Sequence, residues 1–243
     1  MMDCVRRNIK QLGWLDCGLY ALARLMARWT RGNWSLYKYY FVAQPVSSTI
    51  LARGRGKNIT VQHCLSARDL PPCYPRRSDV IELRYAQGAQ SLAAFRNQQL
   101  AGFLWFQFDA FQEDEIRARY VLASRQSVWD FDVFVEPEER LGFVFSRLWD
   151  EAHQLLQAHA ILWSCSRISA FNPASLSAHA RIGSHAMASA IFLCCGRWQW
   201  MLASTAPFVH LSRHPASFPH LRFDTRHISP ISNTTPRSQH AAS

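Results

Sequence analysis

The stretch 135–183, VEPEERLGFVFSRLWDEAHQLLQAHAILWSCSRISAFNPASLSAHARIG, decides the fold. Val144, Leu148, Ala152, Leu155 and Leu156 recur at three- and four-residue steps, which predicts a helix over 142–159. Residues 161–166 then read as a strand. Asn172-Pro173 is a sharp helix start, with an Asn cap and Pro at the first helical position. Leu176, His179, Ala180 and Ile182 continue that helix, and Gly183 supplies a left-handed stop. Just upstream, 128–135 is a strand. The segment therefore runs strand, helix, strand, helix, and 186–193 with 198–203 add two strands turned at Gly196.

Working outward, 37–46 (YKYYFVAQPV) is aromatic and β-branched and predicts a strand ended by Pro45. Residues 53–57 (RGRGK) form a basic turn. Short strands are expected over 58–64, 80–85 and 91–96, a strong one over 100–108, and another over 119–123. Residues 66–78 hold Pro71, Pro72 and Pro75 and read as loop. Residues 14–29 read as a helix with Leu15, Leu19, Leu22, Leu25 and Met26 on one side and arginines elsewhere. A basic amphipathic helix of this kind packs on a partner or lies weakly on a membrane surface.

The chain has 243 residues and is 49% apolar, enough for a substantial core. No apolar run is long enough to span a bilayer. The formal charge is +10, but it is unevenly placed. Residues 1–57 carry +8, residues 205–243 carry +3, and residues 58–204 carry −1. A specific nucleic-acid partner is therefore not expected. Seven cysteines, an odd number without CxxC spacing, predict reduced thiols and no metal site. The first residues fail as a secretory signal, so a cytoplasmic setting is expected. After about 206 periodicity fades and Ser, Pro and His dominate. The expected organisation is a basic helical extension over 1–36, a domain over 37–205, and a disordered basic tail over 206–243.

The segment 127–205 resembles the catalytic half of the GNAT N-acyltransferase superfamily. That family's pattern has a strand ending V-x-P-x-x-R, a glycine-containing turn, and a helix whose start receives the acyl-CoA pyrophosphate. After a further strand come Asn, Ala or Ser three on, Tyr seven on, and Gly eleven on. Here Val135-Glu-Pro137-Glu-Glu-Arg140 matches the first block, and Asn172, Ser175, His179 and Gly183 hold the second spacing. The resemblance covers about 80–204. It implies an α+β fold: a mixed, mostly antiparallel central sheet flanked by helices, with a splayed strand pair at the donor site. It also implies an acetyl-CoA or other acyl-CoA donor, with an acyl-carrier-protein thioester as the alternative, and an amine-bearing small molecule or peptide as acceptor.

Each site residue has a physical reason. Unpaired N–H groups and the dipole at a helix start hold phosphate. The resemblance puts that role on Arg140, Leu141, Gly142, Phe143, Val144 and Phe145. Val133 and Val135 lie on the strand whose free edge would bond pantetheine amides. Asn172 and Ser175 shape the neighbouring helix start. His179 replaces the family's Tyr as proton donor to the departing thiolate. Asp130 and Asp132 alternate along one strand, so they are expected on one face, about 7 Å apart, as proton acceptors for the amine. The acidic run Glu113-Asp114-Glu115 is a further acceptor-recognition element or a solvated turn. Phe143 and Phe145 stand where the family has small residues. A catalytically inactive GNAT-fold binding module and an anionic-surface or nucleic-acid binder using the basic N-terminal segment are the rival readings.

Overall fold

The computed structural model describes residues 13–228. A nine-stranded sheet forms the body, in the order β11-β10-β9-β1-β8-β7-β4-β3-β2. Its members are β1 (Trp34–Pro45), β2 (Ile59–Cys64), β3 (Gln90–Arg96), β4 (Gln99–Phe108), β7 (Ser127–Val135), β8 (Trp163–Ser169), β9 (His185–Cys195), β10 (Trp198–Ala203) and β11 (Val209–Ser212). Every pairing within it is antiparallel except β7 with β8. A second sheet joins β5 (Ala110–Gln112), β6 (Arg119–Leu122) and β12 (His220–Phe223) in the order β12-β6-β5.

Apolar residues on alternating positions fill both faces. On one face Phe41, Phe103, Trp105, Trp129 and Trp163 pack with Tyr120 and Phe223 of the small sheet. Helix α2 (Ser78–Ala86) adds Ile81 to that side. On the other face Leu92, Leu104, Phe106 and Val128 meet Val144, Leu148, Trp149, Ala152 and Leu156 of α3 (Val144–Ala158). Helix α4 (Pro173–Arg181) packs on β8, and α1 (Trp14–Trp29) packs on β1. Gly102 matters here. A Cβ at that position would lie 2.6 Å from the Phe134 carbonyl and 2.9 Å from a Val144 methyl, so only glycine lets α3 and the end of β7 come this close.

Three expectations change. Residues 80–85 are helical rather than a strand; Ile81 is driven into the core and the Arg84 guanidinium into buried ion pairs, a tertiary demand that outweighs local pattern. Residues 206–228 are folded rather than a tail: β11 pairs with β10, β12 pairs in parallel with β6, and Leu221 and Phe223 are core residues. The expected tail over 229–243 lies outside the described residues, as do residues 1–12 of the N-terminal extension. Finally, β1 begins at Trp34 inside that extension and lies between β8 and β9, so the first strand belongs to the middle of the sheet. Among the described residues no helix is long and apolar enough to cross a membrane.

Candidate functional site

The only parallel pair in the large sheet is also the shortest contact between long neighbours. Strand β7 pairs with β8 only over Ser127–Trp129 against Trp163–Cys165. Beyond that both strands continue, to Val135 and Ser169, without pairing. The edge of β7 from Asp130 to Val135 is therefore left free inside the fold. Part of the cause is a bulge. Against β4, Trp105 faces Phe131 and Phe103 faces Phe134, so β7 spends one residue more than β4 over this interval. Asp132 sits in the bulge with φ 50°, a left-handed conformation uncommon outside glycine and asparagine. The sequence order, the single parallel pair and the splay at its end form one architecture.

The fold is GNAT-like.

No family profile matches the sequence, and no curated protein matches it. Solved structures similar to this chain include a functionally unknown conserved protein from Staphylococcus epidermidis (TM-score 0.47, 9% identity, covering 70% of this chain and 65% of that one). Another is a candidate GNAT-family acetyltransferase from Novosphingobium aromaticivorans (TM-score 0.44, 13% identity, 64% and 62% covered). A third is a tandem GNAT protein from the clavulanic acid biosynthesis pathway (TM-score 0.43, 11% identity, 74% and 58% covered). The chain spans less than two thirds of the length of each of these structures.

The bulge separates the two aspartates that were expected to share a face. Asp130 lies on the α3 and α4 side, where Ser164 Oγ donates to its Oδ2 at 2.7 Å. Burial pushes its carboxyl up to about 7, against the smaller pull of the Ser164 and Ser166 hydroxyls. Asp132 turns to the opposite side. Arg76 Nε donates to it at 2.7 Å and Arg84 Nη1 at 2.5 Å. Burial alone would raise this carboxyl, but the two guanidiniums override it and hold it below the usual range.

His179 lies near the apex of the splay, on the Asp130 side. Its Nδ1 is 2.8 Å from Gln44 Oε1, and Gln44 is the cross-strand partner of Ser164. Gln44, Ser164, Asp130 and His179 are thus one buried polar cluster. Burial lowers the His179 imidazole to about 4, so it is neutral at physiological pH. The imidazolium acid expected for thiolate protonation is disfavoured by desolvation. Gln44 Nε2 is buried there without a hydrogen-bond partner, a costly state unless a ligand satisfies it.

At the open end, α3 starts at Phe143, whose side chain makes no cap bond, and the amides of Val144 and Phe145 donate to no backbone carbonyl outside the helix. Arg140 Nε donates to the Val135 carbonyl at 3.2 Å, folding the side chain back on the strand end, and Leu141 is fully exposed. Phe143 packs beneath Arg55, whose guanidinium lies 4.6 Å from the ring centre. Phe145 leans on Trp149 at 6.2 Å. Both rings have partners within the protein, so the helix start retains its donors. Arg55 belongs to the basic turn 53–57, to which the sequence assigns no site role. Its tell-tale was charge density alone; what brings it here is Asp150, which accepts from the Leu51 and Ala52 amides and straps that connection across α3. Asn172 accepts from the Ser175 amide at 3.1 Å, a working helix cap at the far wall of the splay.

The opposite face of the splay opens on a cavity of about 350 Å³. Arg76, Arg84, Asp114, Asp132 and Arg167 line it, together with Glu113. Arg84 also holds Asp114, at 2.6 Å, and Arg167 pairs with both Glu113 and Glu115. Burial raises the Glu113 carboxyl, with Arg167 opposing. The acidic run 113–115 is thereby drawn to the same opening as Asp132. Cys165 is a core thiol whose pKa burial raises, which suits packing and not nucleophilic work.

Proposed function

We propose that the chain is an N-acyltransferase that moves an acyl group from an acyl-CoA or carrier-protein thioester to an amine by direct attack. The observation that carries this reading is the free edge of β7 at the splay, with Asp130 at its apex and the unpaired helix start of α3 at its mouth. An extended pantetheine amide chain is the natural partner for a free strand edge, through Val133 and Val135. Arg140, Arg55 and the amides of Phe143, Val144 and Phe145 would hold the donor phosphates; the Gly142 amide is taken by the Glu139 carbonyl at 2.9 Å. Asn172 and Ser175 would shape the opposite wall.

In this reading the amine approaches from the Asp132 side. Asp132, kept anionic by Arg76 and Arg84, orients the acceptor and draws its proton directly or through water. The N–C bond forms as the C–S bond breaks. Asp130, poised near neutrality, gives its proton to the departing thiolate. His179 serves as a neutral group that fixes Gln44 beside Ser164. The test is thermal stabilisation by acetyl-CoA and longer acyl-CoAs, compared with free CoA. A shift of several degrees that weakens in Arg140→Ala supports the proposal. No shift with any thioester donor ends it.

A further inference from the structure

A second surface is independent of the splay. Asp16 ties α1 to the body, accepting from Lys38 Nζ at 2.5 Å and from the Tyr40 hydroxyl at 2.6 Å. This fixes which side of the helix faces outward. At 100° per residue, Trp14, Gly18, Leu22, Leu25 and Trp29 form one stripe about 150° away from Asp16. Trp14 and Trp29, at its two ends, are each 78% exposed. The stripe is apolar and points away from the protein.

The neighbouring sheet face continues it. Lys38 shares its face with its cross-strand partner Ile191, which in turn faces Leu202. By the same register Leu193 and Trp200 share that face, as do Leu202 and Val209 across β10 and β11. Leu202 is 56% exposed and Val209 65%. Arg213 and Arg197 stack near Trp198 at 4.8 and 5.8 Å from the ring centre. On the helix, Arg24, Arg28 and Arg31 are exposed. The sequence holds no Asp or Glu between Asp16 and Asp69, nor between Glu151 and Asp224. The one carboxylate of this region, Asp16, faces inward and is neutralised by Lys38.

We infer that α1 and the outer face of β9–β11 form a docking surface for an anionic lipid bilayer, with Trp14, Leu22, Leu25 and Trp29 entering the interface and the arginines meeting the headgroups. The combination selects this occupant. Tryptophans at the ends of an apolar stripe suit an interface that is wet on one side. A second copy of the chain would set arginines against arginines with no acid to neutralise them. A nucleic acid would answer the charge and leave the apolar stripe bare.

The experiment is flotation of the full chain with phosphatidylcholine vesicles, with and without about 30% phosphatidylglycerol. Binding is expected only with phosphatidylglycerol, accompanied by a blue shift of tryptophan emission. Leu22→Glu with Leu25→Glu should weaken it by about tenfold or more while leaving the thermal midpoint unchanged, since both side chains are exposed. Leu202→Glu provides the same test from the sheet side should the helix variant fail to fold. Absence of flotation overturns the inference. So do equal flotation of the variants, concentration-dependent dimerisation that the variants abolish, and duplex-DNA binding that persists in them without vesicle binding.

Discussion

Asp130 and Asp132 stand two residues apart on one strand and are driven in opposite directions. Asp130 is buried among hydroxyls and an amide, with no cation beside it, and its carboxyl rises to about 7. Asp132 is nearly as enclosed, yet two guanidiniums hold it ionised. Burial supplies the same penalty to both; the difference is whether a fixed positive charge answers it. The bulge makes the difference possible, because it sends one carboxylate to each face of the sheet. One strand thus presents an ionised carboxylate to the cavity on one face and encloses a titrating one on the other.

The comparison can be broken most severely at Arg84. Its side chain is 6% exposed and serves both Asp114 and Asp132. Arg84→Met should cost about 3–5 kcal/mol in urea unfolding, because it strands Asp114 and leaves the buried Asp132 with Arg76 alone. Adding Asp132→Asn should recover part of the loss; full additivity of the two changes would mean that the pair does not act as a unit.

Asp130→Asn comes next. In the acyltransfer reading it should lower turnover by about a hundredfold and remove the limb of the pH profile near neutrality. Its stability effect has a definite sign. The fold favours the protonated acid, so stability falls as pH rises from the ordinary carboxylate value of 3.8 to about 7 and then levels off. The Asn variant should therefore have a higher thermal midpoint than the wild type at about pH 8 and an equal one near pH 4. An equal midpoint at both would show that Asp130 is solvated.

Ser164→Ala gives the smallest effect. It removes the hydroxyl that donates to Asp130 at 2.7 Å. A loss of about 1 kcal/mol is expected where the carboxylate is ionised. A neutral-range pH limb, if present, should move upward, since only the ionised form needs that donor. A downward move would refute the assignment.

Much of the fold was legible because strong periodicity lies in local sequence. The α3 pattern, the Asn172 cap and the Gly183 stop, with φ 80°, are all short-range signals. The errors are long-range. Val80–Tyr85 carries alternating apolar residues, and burial of Ile81 with ion pairs from Arg84 to residues 30 and 48 positions away makes the helix worth forming there. His220-Leu-Arg-Phe223 is a clear two-residue alternation, but its partner strand is a hundred positions earlier and its surroundings are rich in Ser, Pro and His. Spacing pointed to Asn172, Arg140 and both aspartates, all of which lie around the splay. It missed the bulge, since nothing in Trp-Asp-Phe-Asp announces a left-handed residue, and so it placed both carboxylates on one face. It also overlooked Gln44, Ser164 and Ser166, ordinary residues made consequential by enclosure.

The position of β1 has a consequence for how the chain is made. That strand is complete at Pro45, but its two neighbours are Trp163–Ser169 and His185–Cys195. At ordinary ribosomal speed about 8–30 s pass between the appearance of β1 and the completion of β9. Until Ser169 is made, a 12-residue strand containing Tyr37, Tyr39, Tyr40 and Phe41 has neither of its final hydrogen-bonding partners, and until Cys195 is made it has only one. The nascent chain must carry an adhesive ribbon with both edges open until β8 and β9 add to its two sides. Folding of this protein should accordingly be slow, governed by the arrival of its carboxyl-terminal third, and sensitive to chaperones during synthesis.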